Sequence, residues 1–224
     1  MYPDVIMTGD ENMQLMIGCG HVLYANGDMG ANMLAEEMAK EYGMQIELWV
    51  PPNHPRAKFN SPASVEVLLQ GNDSIKRAAN HLGRSIPTHF YPLSLLQSNY
   101  HIARKAHTVF AFGTLELNRK ELKGGTGWTV RMAMDLGKEV FVFDTVTQTW
   151  FEVATTYQSG HWLTAETNFV PTNQKPTLHQ SSAVIGSKQI NQGSRAELRD
   201  LFHRTFCTPE NLDEVKRELT SFQL

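Results

Sequence analysis

Hydrophobic and polar positions follow first a strand pattern and then a helix pattern near the start of the chain. An apolar run over 22–25 predicts a short strand, and turn-forming residues follow it. Apolar residues then recur every three or four positions, which predicts an amphipathic helix over about 31–42. A second β-prone run, 45–50, is stopped by two prolines. This order of strand, helix and strand predicts a parallel crossover unit.

The same order recurs in the middle of the chain. The pattern predicts a buried strand over 107–112, a helix over about 128–136 and a strand over 139–143. A loop and a glycine-rich turn precede this helix. The turn consists of Gly124, Gly125, Thr126 and Gly127.

The rest of the chain completes an α/β pattern. Helices are also predicted over 74–82, 93–105 and 195–206, the last capped by Ser194. Edge strands over 145–153 begin an antiparallel addition within 145–165, and a long loop or arm is predicted over 155–181. A strand is predicted over 182–185, and the tail over 207–224 is predicted to contain one more short helix. We therefore expect a Rossmann-like fold of three layers, in which helices cover both faces of a mostly parallel sheet. A length of 224 residues fits one such domain.

Composition and charge narrow the functional classes. The net charge of −3 provides no basic field for a nucleic-acid backbone, so nucleic-acid binding is not expected. Cys19 and Cys207 lie far apart and predict reduced thiols, and no signal peptide or membrane span stands out, so we expect a cytoplasmic protein. The nine histidines lack the spacing of metal ligands, and the sequence indicates no metal site and no cofactor.

The glycine turn is the sharpest candidate for a ligand site. Glycines let a ligand approach the backbone closely. Free N–H groups and the positive dipole end of the following helix favour a phosphate or carboxylate, and two threonine hydroxyls add donors. A tight turn without a ligand is the alternative. The candidate ligand-binding residues here are Gly124, Gly125, Thr126, Gly127 and Thr129.

A second glycine turn, 26–30, follows the first predicted strand. Ligands of open parallel sheets bind outside the carboxyl ends of the strands, so Gly27, Asp28 and Gly30 are expected to face the same crevice. Asp28 fits a solvent-facing cap equally well. Gly113 and Thr114 end another strand and are expected to line the crevice too.

Three more polar residues are candidates with ordinary alternatives. Asn99 fits contact with a base or ribose, or a surface position on its helix. Arg131 lies one turn into the glycine-led helix, where it faces either a phosphate or solvent. Asp144 ends a strand, where it contacts a ribose hydroxyl or serves as a cap in a hairpin.

These residues carry a resemblance to a known family. The run from Val109 to Gly113 and the segment from Gly124 to Asp144 resemble the SLOG superfamily, in its bacterial and phage branch. That superfamily includes the Lonely Guy phosphoribohydrolases and the core of DNA-processing protein A. Residues 26–32 are similar to its GGAxGAD turn, with Asn26, Asp28 and Asn32 as replacements, and 183–188 to its GSR strand end. The resemblance implies a nucleotide-binding domain, a homo-oligomer such as a dimer, and N-glycosidase or ribosyl-transfer chemistry.

Two features depart from the family pattern. Where Lonely Guy enzymes have the catalytic glutamate of GGxGTxxE, this chain has Arg131, and Trp128 replaces the threonine. The GSR-like strand, which usually opens the domain, lies near the C-terminus. Either 2–9 forms the first strand or the order is circularly permuted with 183–185 in that position, and the shortness of 10–21 favours permutation.

The sequence favours two functional hypotheses over two others, a structural protein with a vestigial pocket and the single-strand DNA binding of the DNA-processing relatives. The first is a protein that binds a nucleotide or nucleotide-derived ligand, with the glycosidase or ribosyl-transfer activity that the resemblance implies. The second is a non-catalytic sensor or interaction protein that uses the same site, which the missing glutamate favours. Aromatic residues over 150–162 fit either a dimer face or the core.

Overall fold

A seven-stranded sheet organises the protein in the computed structural model, which describes residues 18, 20–52, 54–58, 65–116, 121–156 and 166–208. The strands of this sheet are β1 (Val22–Ala25), β2 (Gln45–Leu48), β3 (Thr108–Gly113), β6 (Glu139–Asp144), β7 (Thr149–Thr156), β8 (Glu166–Pro171) and β9 (Ser181–Gly186). A separate two-stranded ribbon is formed by β4 (Leu115–Glu116) and β5 (Glu121–Leu122). The helices are α1 (Ala31–Glu41), α2 (Val65–Leu69), α3 (Asn72–Leu82), α4 (Phe90–Lys105), α5 (Gly124–Asp135) and α6 (Gln192–Phe206), with one 3₁₀ turn at Pro55–Lys58.

The sheet has the order β2-β1-β9-β3-β6-β7-β8. The first five strands run parallel, and β7 and β8 add to the edge in antiparallel fashion. If β9 is counted as the first strand, the parallel part has the order 3-2-1-4-5 of a doubly wound fold. The structure therefore places 183–185 between β1 and β3, in the first-strand position of the permuted alternative. The alternative first strand at 2–9 lies outside the described residues.

Helices cover both faces of the sheet, as the sequence predicted. Phe110 and Phe112 face the layer of α1 and α6, while the alternate residues Val109 and Ala111 face α4 and α5. All four side chains are fully buried. A strand that is buried on both faces explains the continuous apolar run of β3.

Several predicted bounds differ from the structure, and the start of α5, the extent of the long loop and the cap of α6 differ in instructive ways. The helix expected from about 128 begins at Gly124, because glycine has a low helix propensity and gives no helical signal in the sequence. The predicted loop or arm over 155–181 contains β8, which pairs with β7 from Phe151↔Pro171 to Thr156↔Glu166. The cap of α6 is Asn191, whose side chain accepts a hydrogen bond from the Ser194 backbone N–H at 2.8 Å.

Other predicted segments lie partly beyond what the structure describes. The short helix of the tail falls on 209–224, outside the described residues, as does the part 157–162 of the aromatic segment that fits a dimer face or the core. Trp150 and Phe151 from that segment are buried in the core. Among the described helices, none is both long and apolar enough to cross a membrane.

Candidate functional site

A cavity of about 490 Å³ opens at the carboxyl ends of β1 and β9, in front of the start of α5. This is the point at which the strand order reverses direction around β9, where ligands of doubly wound sheets bind. Four chain segments form its walls. Its lining residues are Asn26, Asp28, Asn32, Pro87, Pro92, Leu95, Leu96, Asn99, Lys123, Gly124, Gly125, Thr126, Trp128, Thr129, Ile185, Gly186, Ser187 and Lys188.

The first turn of α5 presents backbone donors to this cavity. Within the described residues, the N–H groups of Gly125 and Thr126 have no hydrogen-bond acceptor, and the N-cap Lys123 makes no side-chain cap. A Cβ atom built on Gly125 would meet no described atom within 4 Å. The space in front of these amides is therefore open, and the dipole of the twelve-residue helix favours an anion there.

Arg84 fixes the segment between β5 and α5. Its guanidinium donates to the carbonyl oxygens of Gly124 at 2.8 Å and Leu122 at 2.9 Å, and it pairs with Glu121 at 3.1 Å. Gly127 packs on the same segment, since an added Cβ would lie 2.2 Å from the Leu122 carbonyl oxygen. Gly127 is thus a packing residue, whereas Gly125 faces open space.

Thr129 contributes a buried hydroxyl without a partner. The residue is 0% exposed and lines the cavity, yet its Oγ1 has no hydrogen-bond partner among the described groups. A buried polar group left unsatisfied costs about 1–3 kcal/mol. Such a cost at the wall of an open cavity indicates a site that a ligand or water completes.

An amide wall faces the cavity from β1, α1 and α4. Asn26 Nδ2 donates to Asn99 Oδ1 at 2.8 Å, and Asn32 Nδ2 donates to Asn26 Oδ1 at 2.5 Å. Asn32 is only 4% exposed, and within the described part of the chain its Oδ1 lacks a partner. We call Asn26, Asn32 and Asn99 the asparagine network.

The charged residues of the cavity are two lysines and one aspartate. Lys123 pairs with Glu116 at 3.2 Å, and Lys188 lies 3.6 Å from Asp28. Asp28 is the one carboxylate among the described residues that line the cavity. These positions favour an anionic ligand next to α5.

A partly buried cluster supports the turn of Asn26 to Gly30 from behind. Arg56 donates to Glu36 at 2.6 Å and lies 3.5 Å from the Gly27 carbonyl oxygen. Burial raises the pKa of Glu36 despite the neighbouring guanidinium, and burial lowers the pKa of His54. The His54 ring stacks on Tyr91 with 6.4 Å between centroids. The cluster therefore holds the turn in place from the side away from α5.

Half of the predicted ligand-binding residues line the cavity. These residues are Asp28, Asn99, Gly124, Gly125, Thr126 and Thr129. The others do not line it. They are Gly27, Gly30, Gly113, Thr114, Gly127 and Arg131.

The residues that do not line the cavity have structural roles. Gly30 has a φ of 85° and touches the backbone of Ser187, where an added Cβ would lie 2.1 Å from the carbonyl oxygen. Gly113 packs on the Leu122 side chain, since an added Cβ would lie 3.0 Å from Leu122 Cδ2. Thr114 Oγ1 lies 3.3 Å from Thr145 Oγ1. These contacts fix the ends of the strands that carry the cavity.

Arg131 and Asp144 also point to partners within the protein. Arg131 is buried and binds Asp135 one turn along α5, at 2.5 and 2.9 Å. Asp144 accepts backbone N–H groups from Leu115 at 3.0 Å and Thr147 at 3.1 Å. Although burial alone raises the pKa of Asp144, these bonds outweigh it and lower that pKa. Asp144 therefore caps the turn between β6 and β7, which is the second of the two roles that the sequence left open.

Sequence reasoning missed much of the cavity wall. Asn26 and Asn32 stand within the glycine turn that carried the family resemblance, so their polar type was a usable signal. Pro87, Pro92 and Leu95 come from the start of α4 and its approach, and no local pattern indicates that they meet the strand ends.

Comparisons with known proteins do not assign the chain to a family. Models of known protein families give no match to it, and searches of curated proteins and of solved structures give none either. Within the described ranges, no group of three or more His, Cys, Asp or Glu side chains is placed to hold a metal ion.

Proposed function

We propose that the protein binds a phosphorylated nucleotide-type ligand in the cavity at the carboxyl ends of β1 and β9, with its phosphate on the first turn of α5. The observation that carries the proposal is the open start of α5: the N–H groups of Gly125 and Thr126 have no acceptor among the described residues. Beside them lies the buried hydroxyl of Thr129, which has no hydrogen-bond partner in the described part of the chain.

A phosphate suits this end of the cavity electrostatically. Backbone N–H groups at a helix start bind anions through direct hydrogen bonds and through the helix dipole. Lys123 lies at the N-cap, where its ammonium adds a positive charge. Because Lys123 is more than half exposed, it contributes attraction that salt screens.

Apolar residues of the same cavity suit a flat apolar group. Pro87, Pro92, Leu95, Leu96 and Trp128 supply apolar surface within the same cavity. Small-molecule sites combine such surface with a few placed polar groups. A nucleotide has both parts, an anion and a planar base, which supports a nucleotide over a simple oxyanion.

Binding without hydrolysis is the form of the proposal that the residues favour. At the position where the resemblance to Lonely Guy enzymes places a catalytic glutamate, Arg131 is bound to Asp135 and does not line the cavity. A sensor that recognises a nucleotide needs no such acid. Incubation with nucleoside monophosphates followed by chromatography of free base distinguishes the two forms: release of base indicates an enzyme, and its absence indicates a sensor.

Gly125→Leu tests the location of the phosphate. Calorimetric titration with AMP, GMP, CMP and UMP, and with their nucleosides, is expected to show at least one nucleotide binding about tenfold or more tighter than its nucleoside, since charged hydrogen bonds contribute about 1.5–3 kcal/mol. Gly125→Leu places a side chain in the open space and is expected to abolish this binding. The melting temperature is expected to change little, because no described atom stands in its way.

The graded variant Gly125→Ala serves as the matched control. It adds only a methyl group and is expected to weaken nucleotide binding less than leucine does. Equal affinity for nucleotide and nucleoside, or an unchanged nucleotide affinity in Gly125→Leu, would overturn the proposed location.

A further inference from the structure

The asparagine network has a fixed direction. The Asp28 backbone N–H donates to Asn26 Oδ1 at 2.9 Å. A backbone N–H only donates, so the atom that it meets must be the amide oxygen of Asn26. This contact therefore determines which end of the Asn26 amide faces each neighbour.

The orientations of the two neighbouring amides follow. Asn32 also meets Asn26 Oδ1, so Asn32 must present its nitrogen there, at 2.5 Å. Asn26 Nδ2 faces Asn99, so Asn99 must present its oxygen, at 2.8 Å. The Asp28 backbone group thus fixes the orientation of the Asn26 amide directly and, through Asn26, the orientations of the Asn32 and Asn99 amides.

The network leaves one acceptor and one donor unused. Asn32 Oδ1 is a buried acceptor with no partner in the described part of the chain. Asn99 Nδ2 is a donor for which the described residues provide no acceptor. Both residues line the cavity. The cavity therefore lacks a group that donates to Asn32, together with one that accepts from Asn99.

We propose that the asparagine network recognises the ribose hydroxyls of the ligand and makes the site selective for ribonucleotides over deoxyribonucleotides. A hydroxyl both donates and accepts, so a vicinal diol satisfies an acceptor and a donor on one wall. The planar base has its own apolar wall around Pro87, Pro92 and Leu95. The inference rests on the proposed nucleotide binding and assigns the part of the ligand that the phosphate site does not contact.

The expected preference for the ribonucleotide follows from the cost of leaving a buried polar group of the site without its hydroxyl partner. A site that hydrogen-bonds a hydroxyl rejects the analogue that lacks it, because its own buried group then stays unsatisfied. Loss of one neutral hydrogen bond of about 0.5–1.5 kcal/mol corresponds to a factor of about 2–12, and an orphaned buried acceptor adds to it.

The test compares three forms of the monophosphate that binds tightest to the wild type: the ribonucleotide and its 2′-deoxy and 3′-deoxy forms. Titration of the full chain is expected to show that at least one deoxy form binds about fivefold or more weakly than the ribonucleotide. Asn32→Leu is expected to reduce the affinity for the ribonucleotide to that of the more weakly bound deoxy form, while the affinity for this deoxy form stays nearly unchanged. Asn99→Leu, at a partly exposed position, repeats the test if Asn32→Leu does not fold.

Asn80→Leu is the matched control, because Asn80 is an exposed asparagine of α3 that does not line the cavity. It is expected to retain the full preference for the ribonucleotide. Equal wild-type affinities for all three forms would overturn the inference and leave nucleotide binding intact. A preference that persists in both Asn32→Leu and Asn99→Leu would also overturn it. If no nucleotide binds at all, the proposed function and the inference fail together.

Discussion

Two glycine-containing turns lead into helices at the same edge of the sheet, and they differ in what lies in front of the helix. At the start of α1, the chain of β9 covers the turn: Gly30 touches the backbone of Ser187, and the Ala31 N–H donates to the Ser187 carbonyl at 3.4 Å. At the start of α5, the described residues leave Gly125 facing open space with a free N–H. We call these the covered turn and the open turn.

The difference shows that similar glycine motifs serve two physical needs. In the covered turn, Gly30 is required because its positive φ and a close backbone contact exclude a side chain. In the open turn, Gly125 has neither constraint, so its lack of a side chain keeps the space before the amides free. The covered turn therefore stabilises the fold, and the open turn is available to a ligand.

Gly30→Ala is expected to give the largest effect. An added Cβ would lie 2.1 Å from a backbone oxygen at a φ of 85°, so the backbone must shift. We expect a loss of about 3 kcal/mol or more in the free energy of unfolding, measured by urea denaturation.

Gly83→Ala measures the cost of a positive φ without a close contact, at a milder backbone conformation than that of Gly30 (ψ of 33° against −126°). Gly83 has a φ of 60° at the end of α3, and a Cβ there would meet no described atom within 4 Å. Its loss is expected to be about 1 kcal/mol, the cost of a left-handed residue alone. Equal losses in the two variants would contradict the covered turn as a close contact.

Thr129→Val is expected to give a smaller effect with opposite signs for stability and binding. Valine has the shape of threonine but lacks the unsatisfied hydroxyl. Removal of this hydroxyl is expected to stabilise the free protein by about 1 kcal/mol in thermal unfolding, and to weaken nucleotide binding by about fivefold in titration.

Ser74→Ala is the control for the hydroxyl itself. Ser74 is also buried with a partnerless Oγ among the described groups, but it does not line the cavity. We expect its removal to leave nucleotide affinity unchanged. If Thr129→Val destabilised the free protein and left binding intact, Thr129 would be a structural residue and not part of the site.

Much of the fold could be predicted because the local patterns agree with the tertiary structure. The strand of 22–25, the helix that follows it and the strand beginning at Gln45 carry their own periodicity. The place of β9 in the sheet was left open between two alternatives by the sequence, because the order of strands depends on pairing that no local pattern encodes. The strand β8 could not be predicted either, because its pairing with β7 depends on contacts outside the local pattern.

The candidate site was only half accessible from the sequence. The glycine turn of α5 was identifiable because glycines before a helix have a local signature. The polar types of Asn26, Asn32 and Asn99 were visible, but their joining into one network was not, because they come from three separate segments and Asn26 and Asn99 are 73 positions apart. Burial of Arg131 against Asp135 was also invisible, since an (i, i+4) pair looks the same in a buried and in an exposed helix.

Backbone amide chemical shifts test the central claim most directly. Two-dimensional ¹H–¹⁵N spectra would be recorded while the full chain is titrated with the nucleoside monophosphate that binds tightest, and in parallel with its nucleoside. The account predicts that the amide resonances of Gly125 and Thr126 move with the nucleotide but not with the nucleoside. If the nucleotide left the Gly125 and Thr126 resonances in place while shifting others, the anion would bind elsewhere and the central claim would be wrong.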